Sequence, residues 1–191
     1  MRPTALSFTA ALALTALPLR GYAQESTPPA SRVSLGVRAM GRFGDYALGG
    51  LGGQLTVRLA PSVYVALFTD HMVGTRDGAL RHDHEVGGML QLRLLRGARW
   101  ALFPMVGACA NLAVVHAAQS PETSVTDIQF GARAGLGAEF GVGRDFSVGV
   151  EGIAVAYLGH ALTGWAWRAE VSPELSVAAV GQATVHANYH F

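Results

Sequence analysis

Apolar side chains recur at every second position through most of this chain. Val33, Leu35, Val37 and Ala39 alternate with Arg32, Ser34, Gly36 and Arg38, and Leu55, Val57 and Leu59 with Gln54, Thr56 and Arg58. Val63, Val65 and Leu67 follow, interleaved with Tyr64, Ala66, Phe68 and then Asp70. A fourth segment sets Val86, Gly88, Leu90, Leu92 and Leu94 against Glu85, Gly87, Met89, Gln91 and Arg93. The fifth runs from Trp100 to Asn111. The sixth opposes Ile128, Phe130, Ala132, Ala134, Leu136, Ala138 and Phe140 to Gln129, Gly131, Arg133, Gly135, Gly137 and Glu139. The seventh starts at Phe146, and the eighth ends in TVHANYHF, where Val185, Ala187, Tyr189 and Phe191 share a face. A period of two predicts strands with one apolar side, eight of them.

The segments are joined in two ways. The predicted connections near 60–62, 95–98 and 141–145 are short, and those near 42–51, 74–82, 112–125 and 159–174 are longer. Strict alternation of short and long is the connectivity of an up-and-down antiparallel barrel with all short turns on the side of the termini. The competing helix, residues 100–118, is long enough to span a bilayer, but Pro104, Gly107 and Asn111 interrupt it and its residues also alternate.

Composition changes the picture in three respects. Arg2, the apolar run Ala5–Leu19 and the small residues around Gly21-Tyr22-Ala23 predict an export signal over residues 1–23, with 24–31 as a short periplasmic lead. The single cysteine, Cys109, excludes an intramolecular disulfide, so an exported chain must be held by a core or a membrane. Net charge is +1 and only 14% of residues are charged, which leaves no basic excess for nucleic acid.

Charge also decides which face meets lipid. Arginine at mid-membrane costs about 2–4 kcal/mol on the outer wall and is tolerated in a polar lumen. Arg58, Arg93, Arg133, Glu139 and Glu151 all oppose the Leu/Val/Ala/Phe face, so they are predicted to form an inward charge network, with Arg133 reaching Glu151 diagonally. Trp100, Phe130, Phe140 and Phe146 fall where an aromatic girdle sits.

With these features the chain resembles the small eight-stranded outer-membrane barrels of the OmpA/OmpX/OmpW-like superfamily. The resemblance rests on the signal segment, the eight amphipathic strands and the terminal Phe191 preceded by Tyr189, Ala187 and Val185. It implies an all-β, closed antiparallel transmembrane barrel over residues 32–191 in the bacterial outer membrane, embedded in outer-membrane lipid and lipopolysaccharide. It also implies that the last strand is the assembly signal read by the barrel-assembly machinery and periplasmic chaperones. With Phe191 as the last barrel residue, no peptidoglycan-binding domain is expected after the barrel, and a cell-wall anchor role is disfavoured.

The functional expectation is a monomeric, non-enzymatic structural or surface-interaction protein with a charge-plugged lumen. The alternative is a narrow gated channel, for which inward Gly87, Gly107, Gly131, Gly135 and Gly149 leave room. A lipid A-modifying enzyme is disfavoured: His116, Ser120 and Glu122 are near one another in sequence but match no nucleophile motif. In RHDHE, residues 81–85, His82 and His84 share the outward face as a metal half-site without an evident third ligand, so neither a metal nor a cofactor is assigned. His186 and His190, four residues apart, share the inward face. Trp165 and Trp167 are assigned to girdle or loop packing. No repeat or binding motif in the loops names an extracellular partner.

Overall fold

The computed structural model describes residues 32–44, 47–76, 79–117, 120–160 and 175–191, and in these the chain is built of β-strands. They are β1 (Val33–Phe43), β2 (Leu48–Ala60), β3 (Val63–Arg76), β4 (Ala79–Leu92), β5 (Leu95–Arg96), β6 (Trp100–Ala117), β7 (Ser120–Gly141), β8 (Phe146–His160) and β9 (Leu175–His190). The region that competed as a helix is β6. The expected export signal, residues 1–23, the lead at 24–31, and Trp165 and Trp167 lie outside the described residues.

Neighbours in the chain pair antiparallel, in the order β4-β3-β2-β1-β9-β8-β7-β6. One further ladder, β4 with β6, closes this sheet into a barrel, and β1 with β9 joins the first strand to the last within it. β4 pairs with β6, from Leu80 opposite His116 to Gln91 opposite Met105. β1 pairs with β9, from Ser34 opposite His190 to Phe43 opposite Gly181. Eight strands therefore close on themselves, and β5 is a two-residue ladder on β6 where the chain turns. The terminal aromatic is fixed by the same closure: the Phe191 amide donates to the Val33 carbonyl at 3.1 Å, and the Tyr189 ring packs edge-on against both Phe146 and Phe191.

The turn-side links are short because their sequences allow it. Residues 61–62 join β2 to β3, and residues 142–145 join β7 to β8 through Gly143, whose φ of +92° only glycine adopts cheaply. On the opposite side the strands run further than the alternation predicts. The intervals between strands there are 44–47, 77–78, 118–119 and 161–174, and β6 and β7, of 18 and 22 residues, run furthest, as hairpin arms beyond the roughly 9–11 residues a bilayer requires. Period-two hydrophobicity stops at the edge of the apolar band, but backbone pairing does not.

Burial is inverted relative to a soluble sheet. Leu67, Val150 and Phe130 are half-exposed or more on the outer wall, whereas Arg38, Arg42, Arg81 and Arg133 are at most 2% exposed inside. An outer wall of exposed Leu, Val and Phe on every strand far exceeds what a water-soluble monomer presents, and it matches hydrocarbon. Leu67 lies on that wall near the middle of β3, opposite Leu55 and Gly88. Leu67→Arg is expected to lower unfolding free energy in vesicles by about 2–4 kcal/mol, measured by urea titration with gel mobility. A change under about 0.5 kcal/mol would place that face outside the hydrocarbon.

Candidate functional site

The lumen gathers charges from strands far apart around the wall. At its loop-side end Glu85 on β4 is the hub. Arg42 on β1 donates to it at 2.6 Å, Arg133 on β7 at 2.5 Å, and the Tyr157 hydroxyl on β8 also donates to it. Asp83, two residues earlier, accepts from Arg42 at 3.1 Å, from Arg81 at 2.6 and 2.9 Å, and from the Asn111 amide at 3.0 Å. Gln182 on β9 accepts from Arg42 at 3.2 Å. Aromatic faces complete the packing: the Arg133 guanidinium lies 4.4 Å from the Phe68 ring centre and that of Arg42 5.1 Å from Tyr157.

The middle tier is looser. Arg38 approaches Asp70 at 3.3 Å and Glu151 at 3.7 Å, and His186 stands 3.8 Å from Glu151. Toward the turns, Arg93 binds Glu139 at 2.5 Å and stacks 4.1 Å from the Tyr64 ring, while Ser147 bonds His190 at 2.7 Å and Gln54 donates to Asn188 at 2.7 Å. Below this tier a cavity of about 580 Å³ opens on the turn side, among Arg32, Arg93, Arg96, Arg99 and Arg144.

Arginines 38, 42, 81, 93 and 133 thus meet carboxylates 70, 83, 85, 139 and 151. Apolar side chains fill the space between: Met40, Met72, Met89, Met105, Phe68 and Phe103 are buried in one cluster with Tyr157. The inward glycines are where these large groups fit. A methyl group added at Gly87 would strike the Phe68 ring, at Gly131 Cys109 and Tyr157, and at Gly149 His186.

The five network residues read from sequence are distributed as follows. Arg93 and Glu139 pair with each other. Arg133 and Glu151 do not, because the β7–β8 register sets Arg133 opposite Val155 rather than 153, which carries Glu151 two residues further off. Each takes a partner from across the lumen instead. Arg58 lies half-buried at the turn end and donates to its own strand's Ala60 carbonyl at 3.3 Å. Glu85 and Asp70 were on the inward face by parity alone, but as charges without a sequence neighbour of opposite sign they do not stand out. Arg42 and Arg81 were hidden by the longer loops assigned at 42–51 and 74–82.

On the outer wall, Trp100 and Phe140 are register partners and, with Phe130 and Phe146, are exposed outward. Val185, Tyr189 and Phe191 also face outward along the closing strand, with Ala187 between them. His116 lies on β6 opposite Ser124, and the side chains of Ser120 and Glu122 lie outside the described residues. His82 and His84 face outward, as their parity predicts.

No family model and no curated protein sequence matches this chain. Among solved structures, Neisserial surface protein A superimposes with a TM-score of 0.60 at 8% identity, covering 83% of this chain and 96% of that one. The N-terminal β-barrel domain of OprF from Pseudomonas aeruginosa gives 0.53 at 13% identity, covering 83% and 97%. The fold is that of the small eight-stranded outer-membrane barrels. At such identities the likeness extends to the backbone and stops there, so the lumen chemistry is read from this chain's own side chains.

Removing one partner from a buried ionic group leaves the others uncompensated. Glu85→Ala takes the shared carboxylate from Arg133 and from Arg42, which keeps Asp83, so it is expected to destabilise the refolded barrel by about 3–5 kcal/mol in urea unfolding. Glu151→Ala, whose nearest arginine is at 3.7 Å, is expected to cost less than half as much. Equal losses would show that Glu85 is not the hub.

Proposed function

We propose that this protein is a non-enzymatic outer-membrane barrel with an occluded lumen, serving a structural or surface-interaction role through its loop-side hairpins. The observation that supports this reading is the Glu85 hub: three strands send Arg42, Arg133 and Tyr157 across the barrel to one carboxylate. Eight strands enclose little more than their own side chains, and here that space holds both an ionic tier and a methionine-aromatic tier. In this orientation the short links face the periplasm and the hairpins face outward, and the partners of the wall are outer-membrane lipid and lipopolysaccharide.

A second reading, a narrow gated conduit, is favoured by one feature. The middle tier around Arg38 is held at 3.3–3.7 Å, and a turn-side cavity leads toward it. Planar-bilayer recording of the refolded chain discriminates the two. The plugged barrel gives a silent membrane, and discrete openings appear only in Glu85→Ala. Openings in the native chain that change in Arg133→Ala would establish the conduit instead.

The last strand serves as the assembly signal in this proposal, because Val185, Ala187, Tyr189 and Phe191 form one outward edge that must find β1. Phe191→Ala is expected to reduce barrel assembly in cells several-fold while refolding in detergent stays near native yield, both scored by heat-modifiable gel migration. Equal damage to both would assign Phe191 to packing alone.

A further inference from the structure

The fold completes what RHDHE only begins. His71 on β3 and His84 on β4 are register partners near the loop-side rim, and both are exposed on the outer wall. Their rings lie 4.4 Å apart between centres, with the two Nδ1 atoms 3.2 Å from each other. His82 stacks on His71 at 5.8 Å, and His116 meets His82 edge-on at 5.9 Å. Period two could not show this, since the four residues come from three strands.

A 3.2 Å separation is that of a hydrogen bond between the two imidazoles when one Nδ1 carries the proton, and it is also that of two ligands on one metal ion. A transition metal bound by imidazole at about 2.0–2.1 Å sets two neighbouring nitrogens about 2.9 Å apart at a right angle and about 3.3 Å apart in a tetrahedron. The observed pair falls between these limits. With both rings protonated at Nε2, both Nδ1 lone pairs are free to converge on one ion. The register partners on either side are Leu51 on β2 and Leu112 on β6, and Arg81, Asp83 and Glu85 point into the lumen. Among the described residues no three His, Cys, Asp or Glu side chains converge on one point, so the protein supplies two ligands and solvent the others.

We propose that His71 and His84 form a two-histidine site on the outer wall for a borderline divalent cation of the Cu²⁺, Ni²⁺ and Zn²⁺ class, bound through both Nδ1 atoms. Position follows from the β3–β4 strand pairing, so the site exists only in the correctly registered hairpin.

The test is a Cu²⁺ titration of the untagged full chain refolded in detergent micelles, followed by electron paramagnetic resonance, with the double variant His71→Ala/His84→Ala as background. The native chain is expected to show one saturable site with coupling to two imidazole nitrogens. His71→Ala and His84→Ala should each weaken binding by about tenfold or more and leave one nitrogen, while His82→Ala stays within about threefold. Both exposed substitutions should keep the heat-modifiable gel shift, which separates loss of the site from loss of the fold. A native chain no different from the double variant would overturn the proposal, and so would a His82→Ala loss as large as that of His84→Ala.

Discussion

Everything in this molecule follows from the cost of an unpaired peptide group in hydrocarbon. Each buried N–H or C=O without a partner costs several kcal/mol in a medium that offers no water. A sheet that presents Leu, Val and Phe on its outside can have no free edge there. The β4–β6 and β1–β9 ladders remove both edges, and with them the last reason for the ends of the chain to fray. Closure then fixes the circumference. Eight strands allow an interior only about as wide as opposed side chains, so whatever faces inward must fit and satisfy its neighbours.

That confinement explains why most of the interior charges are paired across the barrel, with Arg81 and Asp83 on β4 the pair that lies along one strand. β1, β4, β7 and β8 are not all neighbours in the wall, yet Arg42, Arg133 and Tyr157 converge on Glu85. A register slip of one residue in any of these strands would turn its charge into lipid and its apolar residue into the lumen. The ionic hub therefore discriminates one shear of the barrel from its neighbours, a task for which interchangeable apolar side chains are less suited. The methionines do the complementary work, since a flexible thioether chain fills the irregular gaps left around fixed guanidinium groups.

What the sequence reveals and what it conceals divide along the same physical line. Strand identity, facing and closure are local or parity-based, so the alternation of Val33 to Ala39 or Ile128 to Phe140 announces them directly. The outward girdle at Trp100, Phe130, Phe140 and Phe146 is legible for the same reason. Partner choice in the lumen is not, because it depends on register summed over several strands. A difference of two residues in the β7–β8 hairpin is enough to part Arg133 from Glu151. Strand length is concealed for another reason: beyond the apolar band the outer residues turn polar, as at His82 and His84, and the hydrophobic signal vanishes while the hydrogen-bond ladder continues. Arg42 and Arg81 belong to that concealed part.

The extension of the strands past the band also shapes where function can reside. A wall held by ladders and an interior held by buried ion pairs leave few independent degrees of freedom between the turns and the rim. On the loop side the same backbone continues as paired arms, so side chains there are carried on a rigid register rather than on wandering loops. Rigid placement lowers the ordering cost of meeting a partner, because the geometry is set before contact. It is this continuity that sets His71 against His84 and His82 against His116, from segments distant in sequence. Among the described residues the rim is thus a region where polar chemistry, exposure and a fixed scaffold coincide, and the lumen's charges are what hold that scaffold in register.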